Sequence, residues 1–311
     1  MCNPRSSMNL DGIHHVTCIT GDAPTNVRFY TDTLGLRMVK KSVNQDDPTV
    51  YHLFYADELG SAGSDITFFE YPGAIRGRAG DGMVHRVVFR VAGEESLEFW
   101  QDRVGGRRGE ASLVFWDPEG LELELVVDDG GDPPLVARDP EIPEEHALHG
   151  FAGVRAYASA PERSVDLLER LTFDGAGSRW ESRGDRHGFY VYDEPPDARG
   201  VPGAGTVHHV AWAVPLDEHS AWVQKAAEAG ARPTPVIDRF WFHSIYFREP
   251  SGVLFEIASL GPGFTADEEL EHLGEKLILP PAFEHLRAEV EPQLTPLPNP
   301  RGRAGTAPRR S

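Results

Sequence analysis

Four segments of the chain repeat one order of elements, and this repetition constrains the fold more than any other feature. Each segment opens with a short strand of alternating apolar residues, continues with a helical pattern and closes with strands rich in Val, Phe, Tyr and Leu. Two of the segments open with adjacent histidines, in GIHHVTCITGD and in TVHHVAWAV. The segments cover about residues 12–72, 82–127, 150–193 and 206–260.

A strand–helix–three-strand unit of this size cannot close its own sheet, so the units are expected to pair. Two units side by side make an open eight-stranded half-barrel, and the sequence therefore predicts an α+β fold of four βαβββ modules in two half-barrels. FWDPEGLELEL and YFREPSGVLFEI each place a tight Pro-x-Gly turn before a strand that carries a glutamate. We expect two amphipathic helices over residues 261–295 and a disordered tail over residues 296–311.

The composition excludes several classes of protein. The net charge of −19, from 49 acidic and 30 basic residues, argues against nucleic acid and membrane surfaces as partners. No apolar run reaches the length of a membrane span, and the first residues lack the layout of a signal peptide. Two cysteines, Cys2 and Cys18, are too few for a disulfide framework, so a cytoplasmic location is expected. The sequence leaves the oligomeric state open, a homo-oligomer included.

The two histidine pairs indicate chemistry. Neighbouring side chains on a strand point to opposite faces of the sheet, so one histidine of each pair can face into a half-barrel. When the four opening strands are aligned, one column contains His15, Arg86, Ala156 and His209. The adjacent column contains His14, His85, Arg155 and His208. If His15 and His209 bind one metal ion, the first and fourth segments must line the same half-barrel, because the other two offer no histidine there.

A third ligand is expected on the last strand of a partner segment. Glu256, in GVLFEIAS, lies on the closing strand of the fourth segment. Two imidazoles and one carboxylate form the facial triad typical of non-haem Fe(II), which leaves coordination positions open for chemistry, whereas a structural zinc site fills all four. We therefore predict that His15, His209 and Glu256 bind Fe(II), with Mn(II) as an alternative that accepts the same ligands.

These motifs resemble the vicinal oxygen chelate superfamily, which includes glyoxalase I, bleomycin-resistance proteins and extradiol ring-cleaving dioxygenases. The residues that carry the resemblance are GIHHVTCITGDAPTNVRFYTDTLGLRMVKKSV, YHLFYADELGSAGSDITFFEYPG, VHHVAWAVP, YFREPSGVLFEIAS and LGPGFTADEELEHLG. More narrowly, residues 10–295 are similar to the hydroquinone-type ring-cleaving dioxygenases. The resemblance implies the same three ligands, the pairing of the first with the fourth segment, and a small dihydroxyaromatic and O2 as substrates.

The resemblance also implies a set of residues around the substrate, namely Tyr246, Arg239, His208, His14 and Thr17. Within DRFWFHSIYF, Tyr246 and Arg239 would place a proton donor and a fixed positive charge near the open face of the metal. Strand alternation points His14 and His208 away from the metal. The remaining histidines of interest are interpreted as structural or rim residues: His85, His146, His149 and His243.

Two other functions stay open at this point. A glyoxalase-like isomerase or lyase would need a second carboxylate beside a redox-inert metal, and Glu70 in DITFFEYP is the candidate, although we interpret it as a structural or rim residue. A non-enzymatic sequestering protein of the drug-resistance type is usually a two-segment dimer that lacks the metal ligands. The sequence does not determine whether the ring is catechol-like or hydroquinone-like, or which substituents it carries.

Overall fold

The computed structural model describes residues 8–127 and 131–300, and each repeated segment contributes four strands within them. The first segment forms β1 (Ile13–Thr20), β2 (Arg37–Asn44), β3 (Asp47–Ala56) and β4 (Asp65–Glu70). The second forms β5 (Val84–Val91), β6 (Arg107–Arg108), β7 (Ser112–Trp116) and β8 (Glu122–Val127). The third forms β9 (Phe151–Tyr157), β10 (Asp174–Ala176), β11 (Arg179–Arg183) and β12 (His187–Asp193). The fourth forms β13 (Thr206–Pro215), β14 (Ile237–Asp238), β15 (Phe242–Arg248) and β16 (Leu254–Pro262).

One short helix follows the opening strand of each segment, as the repeated pattern predicts. These helices are α1 (Ala23–Arg28), α2 (Glu94–Val104), α3 (Val165–Arg170) and α4 (His219–Glu228), and α5 (Arg287–Val290) lies near the C-terminus. Between residues 8 and 127 and between 131 and 300, no helix has the length and apolar character that crossing a bilayer requires.

The strands form two eight-stranded mixed sheets, and the predicted fold class is confirmed. The first sheet has the order β14-β15-β16-β13-β1-β4-β3-β2 and combines the first segment with the fourth. The second sheet has the order β10-β11-β12-β9-β5-β8-β7-β6 and combines the second with the third. In both sheets the opening strands of two segments pair antiparallel at the centre, β1 with β13 and β5 with β9. The two histidine pairs therefore lie on neighbouring strands.

Strand alternation divides the first sheet into two chemically different faces. On one face, apolar residues such as Val16, Val210 and Phe255 belong to the large hydrophobic core that also contains residues of the second sheet and the helices. We call the opposite side the inner face. Its side chains include both polar residues and a smaller apolar cluster of Val39, Phe54, Ala56, Ala211, Trp241, Phe242, Ala258, Phe264 and Leu273.

The hydrogen-bond register corrects one part of the sequence alignment. Around the central pair Val16–Val210 of the first sheet, His15 lies opposite Ala211 and Thr17 lies opposite His209. Around the central pair Val87–Val154 of the second sheet, Arg86 lies opposite Arg155 and Val88 lies opposite Gly153. The residue of the third segment that corresponds to His15 and His209 is therefore Gly153. The alignment with Ala156 was wrong by three residues, because β9 is buried at nearly every position and its sequence pattern does not distinguish the two faces of the strand.

An ion pair occupies the second sheet where the first sheet carries histidine and glutamate. Counted from the same central pairs with β13 matched to β5, Arg86 corresponds to His209, Gly153 to His15 and Glu124 to Glu256. Nη1 of Arg86 lies 2.8 Å from Oε2 of Glu124, and the same guanidinium also contacts Glu122. The ring of Phe189 covers Gly153 so closely that a Cβ atom there would lie 2.2 Å from it. A fixed cation and an aromatic ring thus take the equivalent positions.

The two matched turns are held by buried carboxylates. Oδ1 of Asp117 accepts the N–H groups of Glu119 and Leu121 at 2.9 and 2.8 Å, and Oδ2 accepts the hydroxyl of Tyr30 at 3.2 Å. Glu249 has the same role in the other turn, where it accepts the N–H groups of Ser251 and Val253 at 2.9 and 3.1 Å. The turns predicted from Pro-x-Gly are therefore present, each with its acidic residue bonded back to the turn.

The C-terminal segment differs from the predicted pair of amphipathic helices. Over residues 264–280 the structure has only two short 3-10 turns, whereas residues 281–293 form consecutive helical turns around α5. Strand β2 determines this conformation, because buried Lys40 donates to the carbonyl of Phe264 at 3.2 Å and Arg37 donates to that of Leu270 at 2.6 Å. These bonds to side chains of β2 hold the segment against the sheet, where it forms no continuous helix. Of the predicted tail, residues 301–311 lie outside the described residues.

We predict that Asp117 makes folding less favourable as the pH rises from about 4 to about 6. Burial is the largest influence on this carboxyl group and raises its pKa from 3.8 to about 6, so the folded state binds the proton more tightly than the unfolded state. Its contribution to the free energy of unfolding, about 3 kcal/mol, is therefore greatest below the unfolded pKa and is lost as the pH rises through the folded pKa. In urea unfolding at successive pH values, the stability of D117N should rise relative to wild type by about this amount. Parallel curves for the two proteins would contradict the prediction.

Candidate metal centre

His15, His209 and Glu256 meet on the inner face of the first sheet. Nε2 of His15 lies 3.3 Å from Nε2 of His209, and Oε2 of Glu256 lies 3.2 Å from the first nitrogen and 2.9 Å from the second. Donor atoms bound to a metal at about 2.1 Å and at right angles lie roughly 3 Å apart, so this spacing fits a facial set of three ligands. Within the described part of the chain, this is the one group of three potential metal-binding side chains whose donor atoms all lie within 4.8 Å of one another.

The strand order of the first sheet brings these three residues together. His15 lies on β1 and His209 lies on the adjacent antiparallel strand β13. Glu256 lies on β16, the other neighbour of β13, where it is opposite Ala211. Because Ala211 is also opposite His15, the three side chains project from adjacent strands at nearly the same height on one face.

The carboxylate of Glu256 has one oxygen held by the protein and one directed at the histidines. Oε1 accepts the hydroxyl of Ser244 at 2.5 Å. Oε2 is fully buried and, among the described residues, has no hydrogen bond of good geometry despite the two nearby nitrogens. Burial alone would raise the pKa of Glu256, but the interactions with His15 and His209 outweigh it and hold the pKa well below its usual value. A buried anionic oxygen facing two imidazole nitrogens suits a metal cation.

The outer histidine of each pair contacts the ring of its neighbour. Nδ1 of His14 lies 2.9 Å from Nδ1 of His15, and Nδ1 of His208 lies 2.8 Å from Nδ1 of His209. Burial, reinforced by the neighbouring ring, lowers the pKa of His14 to about 3 and that of His208 to about 4, so both are neutral at pH 7. A neutral outer ring can accept the Nδ1–H of its neighbour, which leaves the Nε2 lone pair of the inner ring directed at the centre.

A cavity opens beside the three donor atoms. His15 and His209 line it together with aromatic residues, which are Phe54, Phe69, Trp241 and Phe242. Tyr246 and Arg239, which the sequence placed near the open face, also line it. His14, Thr17 and His208 do not border this cavity, and the buried hydroxyl of Thr17 accepts that of Thr67 at 2.8 Å.

Tyr246 and Arg239 form one polar wall of the cavity. The ring of Tyr246 lies 5.7 Å from the ring of His209, and the guanidinium of Arg239 lies 5.5 Å from the ring of Tyr246. Burial and the charge of Glu256 raise the pKa of Tyr246 well above its usual value, so its phenol keeps its proton. Arg239 is held by Asp46 through two hydrogen bonds of 3.2 and 2.9 Å.

The residues that the sequence reasoning missed include His52, Ser244 and Asp46. His52 stands in the quoted motif YHLFYADELG, and its alternation with Phe54 places both side chains on the inner face. Ser244 stands two residues before Tyr246, so the same alternation could have found it. Asp46 lies in a turn, and no local pattern relates it to Arg239, which is 193 residues away.

Glu70 does not face the centre, as the structural interpretation predicts. In the first segment Thr67 takes the position that Glu256 has in the fourth, because Thr67 lies opposite Thr17 and Glu256 lies opposite Ala211. Glu70 lies three residues further along β4, where it accepts the N–H of Ala23 at 3.3 Å and the hydroxyl of Thr295 at 2.9 Å.

The other singled-out histidines lie away from the cavity. His85 contacts Asp193 at 2.8 Å and stacks on Tyr157 in the second sheet. His146 and His149 belong to the connection before β9, and His146 stacks on Phe99. His243 lies on β15, 3.9 Å from Asp238.

Paired βαβββ modules around such a site define a known class of proteins. The model of the Glyoxalase/Bleomycin resistance protein/Dioxygenase superfamily matches residues 12–131 and 93–257, and the chain belongs to this superfamily. The resemblance inferred from the HH strands is therefore confirmed.

Similar curated proteins point to one branch of the superfamily. A Bacillus subtilis protein named "Putative ring-cleaving dioxygenase MhqO" is 40% identical over 92% of this chain and 96% of its own length. "Putative ring-cleaving dioxygenase MhqA" of the same organism is 36% identical over 93% of this chain and its full length. The "Chlorohydroquinone/hydroquinone 1,2-dioxygenase" of Sphingobium indicum is 31% identical over 90% of this chain and 95% of its own length.

Solved structures agree with the fold. The crystal structure of a "putative dioxygenase" from Bacillus subtilis has a TM-score of 0.84 at 37% identity and covers 94% of this chain and 99% of that chain. Glyoxalase I from Zea mays has a TM-score of 0.52 at 14% identity over 82% of this chain and 93% of that chain, which indicates a shared fold only.

We predict that S244A binds Fe(II) or Mn(II) about 10- to 100-fold more weakly than wild type, because loss of a hydrogen bond to a ligating carboxylate frees its orientation. Competition with a chelator of known affinity measures the dissociation constants. S259A is the matched control. Like Ser244, Ser259 is fully buried, but it lies on β16 and its hydroxyl donates to the carbonyl of Gly261. Equal weakening by both substitutions would show that Ser244 has no particular part in orienting Glu256.

Proposed function

We propose that this protein is an Fe(II)-dependent ring-cleaving dioxygenase of the extradiol type that opens a dihydroxyaromatic ring with O2. The observation that carries the proposal is the convergence of two buried imidazole nitrogens and one buried carboxylate oxygen beside a cavity with aromatic walls. Two histidines and one carboxylate leave open coordination positions, which non-haem iron oxygenases require.

The similar proteins support the same reaction class. Three relatives at 31–40% identity are named as ring-cleaving dioxygenases or as a chlorohydroquinone/hydroquinone 1,2-dioxygenase. The last of these names favours a hydroquinone-like substrate over a catechol-like one. The cavity agrees with a planar ring, because Phe54, Phe69 and Trp241 offer apolar faces against which a ring can pack.

His15, His209 and Glu256 would hold the metal, and Ser244 would orient the carboxylate. When bound, Fe(II) would supply the redox step between the electron-rich ring and O2. The protein's share is then to bind and orient the ring and to control its protons. Mn(II) accepts the same ligands, so the metal content of the purified protein decides between the two ions.

Tyr246 and Arg239 would control protons and charge at the substrate. The raised pKa of Tyr246 keeps a phenolic proton available within the cavity, so this side chain can donate it to a substrate oxygen. Arg239 carries a positive charge on the same wall and can stabilise the anionic form of the substrate or product. The two side chains contact each other, so they would act on the same side of the ring.

The isomerase alternative has less support. It requires a second carboxylate at the metal, but Thr67 takes the position that corresponds to Glu256, and Glu70 bonds to Ala23 and Thr295. A sequestering protein does not require a buried facial set of three ligands with a carboxylate aligned by Ser244. The arrangement of the inner face therefore favours the dioxygenase.

We expect the ferrous-loaded protein to consume O2 with a hydroquinone substrate and E256Q to lose both stoichiometric iron and O2 uptake. The amide of E256Q is a poor ligand and carries no charge to balance the cation. An oxygen electrode and elemental analysis measure the two quantities across a panel of hydroquinones and catechols. E70Q is the matched control and should keep both. An active protein that consumes no O2, or an E70Q variant as inactive as E256Q, would favour the isomerase.

We also expect Y246F to turn over substrate about 10²- to 10⁴-fold more slowly than wild type, the usual effect of losing a positioned proton donor. Its iron content should not change, because Tyr246 is not among the proposed ligands. Y157F removes the same hydroxyl from the second sheet and should leave turnover unaltered. Undiminished turnover by Y246F would exclude this phenol from the reaction.

A further inference from the structure

His52 is an ionisable side chain of the cavity that the proposed mechanism does not use. It lies on β3, two strands from β1, and it borders the same cavity as His15 and His209. Its ring contacts two aromatic rings, with centroid distances of 3.9 Å to Phe54 and 4.4 Å to Phe69. This packing fixes the orientation of the imidazole.

Two hydrogen bonds of Thr67 determine which nitrogen of His52 carries the proton. The hydroxyl of Thr67 donates to Oγ1 of Thr17 at 2.8 Å, which uses its single hydrogen. Nε2 of His52 lies 2.9 Å from Oγ1 of the same Thr67. Since Thr67 has no second proton to give, Nε2 must be the donor. In the neutral ring, Nδ1 is then an acceptor.

Nδ1 of His52 is available to a ligand. It makes no hydrogen bond to any described residue, and it is not one of the polar atoms sealed inside the protein. Burial, followed by the nearby His15 and His209, lowers the pKa of His52 well below its usual value, so the ring is neutral at pH 7 and Nδ1 keeps its lone pair. The cavity thus contains a fixed acceptor on β3 that faces no protein donor.

The distance across the sheet separates this acceptor from the metal ligands. Neighbouring strands lie about 4.8 Å apart, so the backbone of β3 is roughly 10 Å from that of β1, with β4 between them. The two oxygens of 1,4-dihydroxybenzene lie at opposite ends of the ring, whereas those of catechol are adjacent. A ring that is held by one oxygen near His15 and His209 can therefore direct its second oxygen toward the distant part of the cavity only if that oxygen is in the para position.

We propose that His52 is the specificity-determining residue for the second hydroxyl of a 1,4-dihydroxyaromatic substrate, which donates a hydrogen bond to Nδ1. This inference rests on the proposed function, because it concerns the same cavity and the same class of substrate. Thr67 and Thr17 hold the tautomer, and Phe54 and Phe69 hold the ring plane. Other donors in the cavity, such as Arg239, cannot replace His52, since a hydroxyl that gives its proton needs an acceptor.

Anaerobic titration calorimetry tests the proposal, because binding can be measured without turnover. Hydroquinone and phenol differ only in the second hydroxyl, and catechol carries it in the adjacent position. Wild-type protein loaded with Fe(II) should bind hydroquinone about tenfold more tightly than phenol, the usual effect of one hydrogen bond. Catechol should show no dependence on His52.

Two substitutions separate the acceptor from the rest of the side chain. H52Q keeps an N–H near Nε2 for Thr67 but has no acceptor at the Nδ1 position, so hydroquinone and phenol should bind equally. H52N places an amide oxygen near Nδ1 and should keep the preference for hydroquinone. The affinity for phenol should be the same in all three proteins. Equal iron content and melting temperature would show that the variants are folded and loaded.

The possible results distinguish this proposal from the proposed function. If H52Q keeps the wild-type preference, or H52N loses it as H52Q does, Nδ1 does not recognise the hydroxyl. If wild type itself binds hydroquinone and phenol equally, the proposal for His52 is wrong whether or not the variants fold, while ring cleavage is judged separately by O2 uptake. Wild-type protein that binds none of the three ligands would contradict both proposals.

Discussion

The antiparallel pairing of β1 with β13 is the interaction on which the rest of the structure depends. It joins the first and last segments of the repeat into one sheet and places His15 and His209 on adjacent strands of its inner face. The parallel pairing of β13 with β16 then brings Glu256 to the same height. Because side chains alternate strictly along a strand, a shift of one residue in either pairing would turn a ligand toward the hydrophobic core. The register is stabilised by that core, to which Val16 and Val210 belong.

The second sheet has the same strand arrangement, but it balances the charge of its carboxylate in a different way. The position of one histidine carries Arg86, that of the other carries Gly153, and the carboxylate of Glu124 pairs with the guanidinium. The buried carboxylate of Glu124 is paired with the guanidinium of Arg86, whereas Glu256 faces two imidazole nitrogens. A metal ion would balance the charge of Glu256 in the first sheet as Arg86 balances that of Glu124 in the second. The second sheet thus pairs this carboxylate with a guanidinium, whereas the first sheet leaves its carboxylate facing two imidazoles.

The fold and the centre could be predicted to different depths. Period-two alternation identified the opening strands. Because the other two segments have no histidine at the position of His15 and His209, the sequence indicated which pair would share a half-barrel. The alignment of the third segment failed at Ala156 because β9 is buried at nearly every position and shows no clear alternation, and only the hydrogen bonds to β5 select Gly153. The helix expected after residue 261 is absent where Lys40 and Arg37, more than 220 residues earlier, hold the segment against β2 through its carbonyls. Local propensity cannot anticipate such distant partners.

The amino-acid sequence by itself determined the repeat, the face of each strand and the residue types able to bind a metal, because these follow from local periodicity and side-chain chemistry. Only the tertiary structure decided which atoms of those residues meet. In the folded chain Ser244 holds one oxygen of Glu256 and Asp46 pairs with Arg239. Thr67 and Thr17 select the tautomer of His52. Each of these contacts joins different strands or turns, so its geometry depends on sheet order and register, which are properties of the folded chain as a whole.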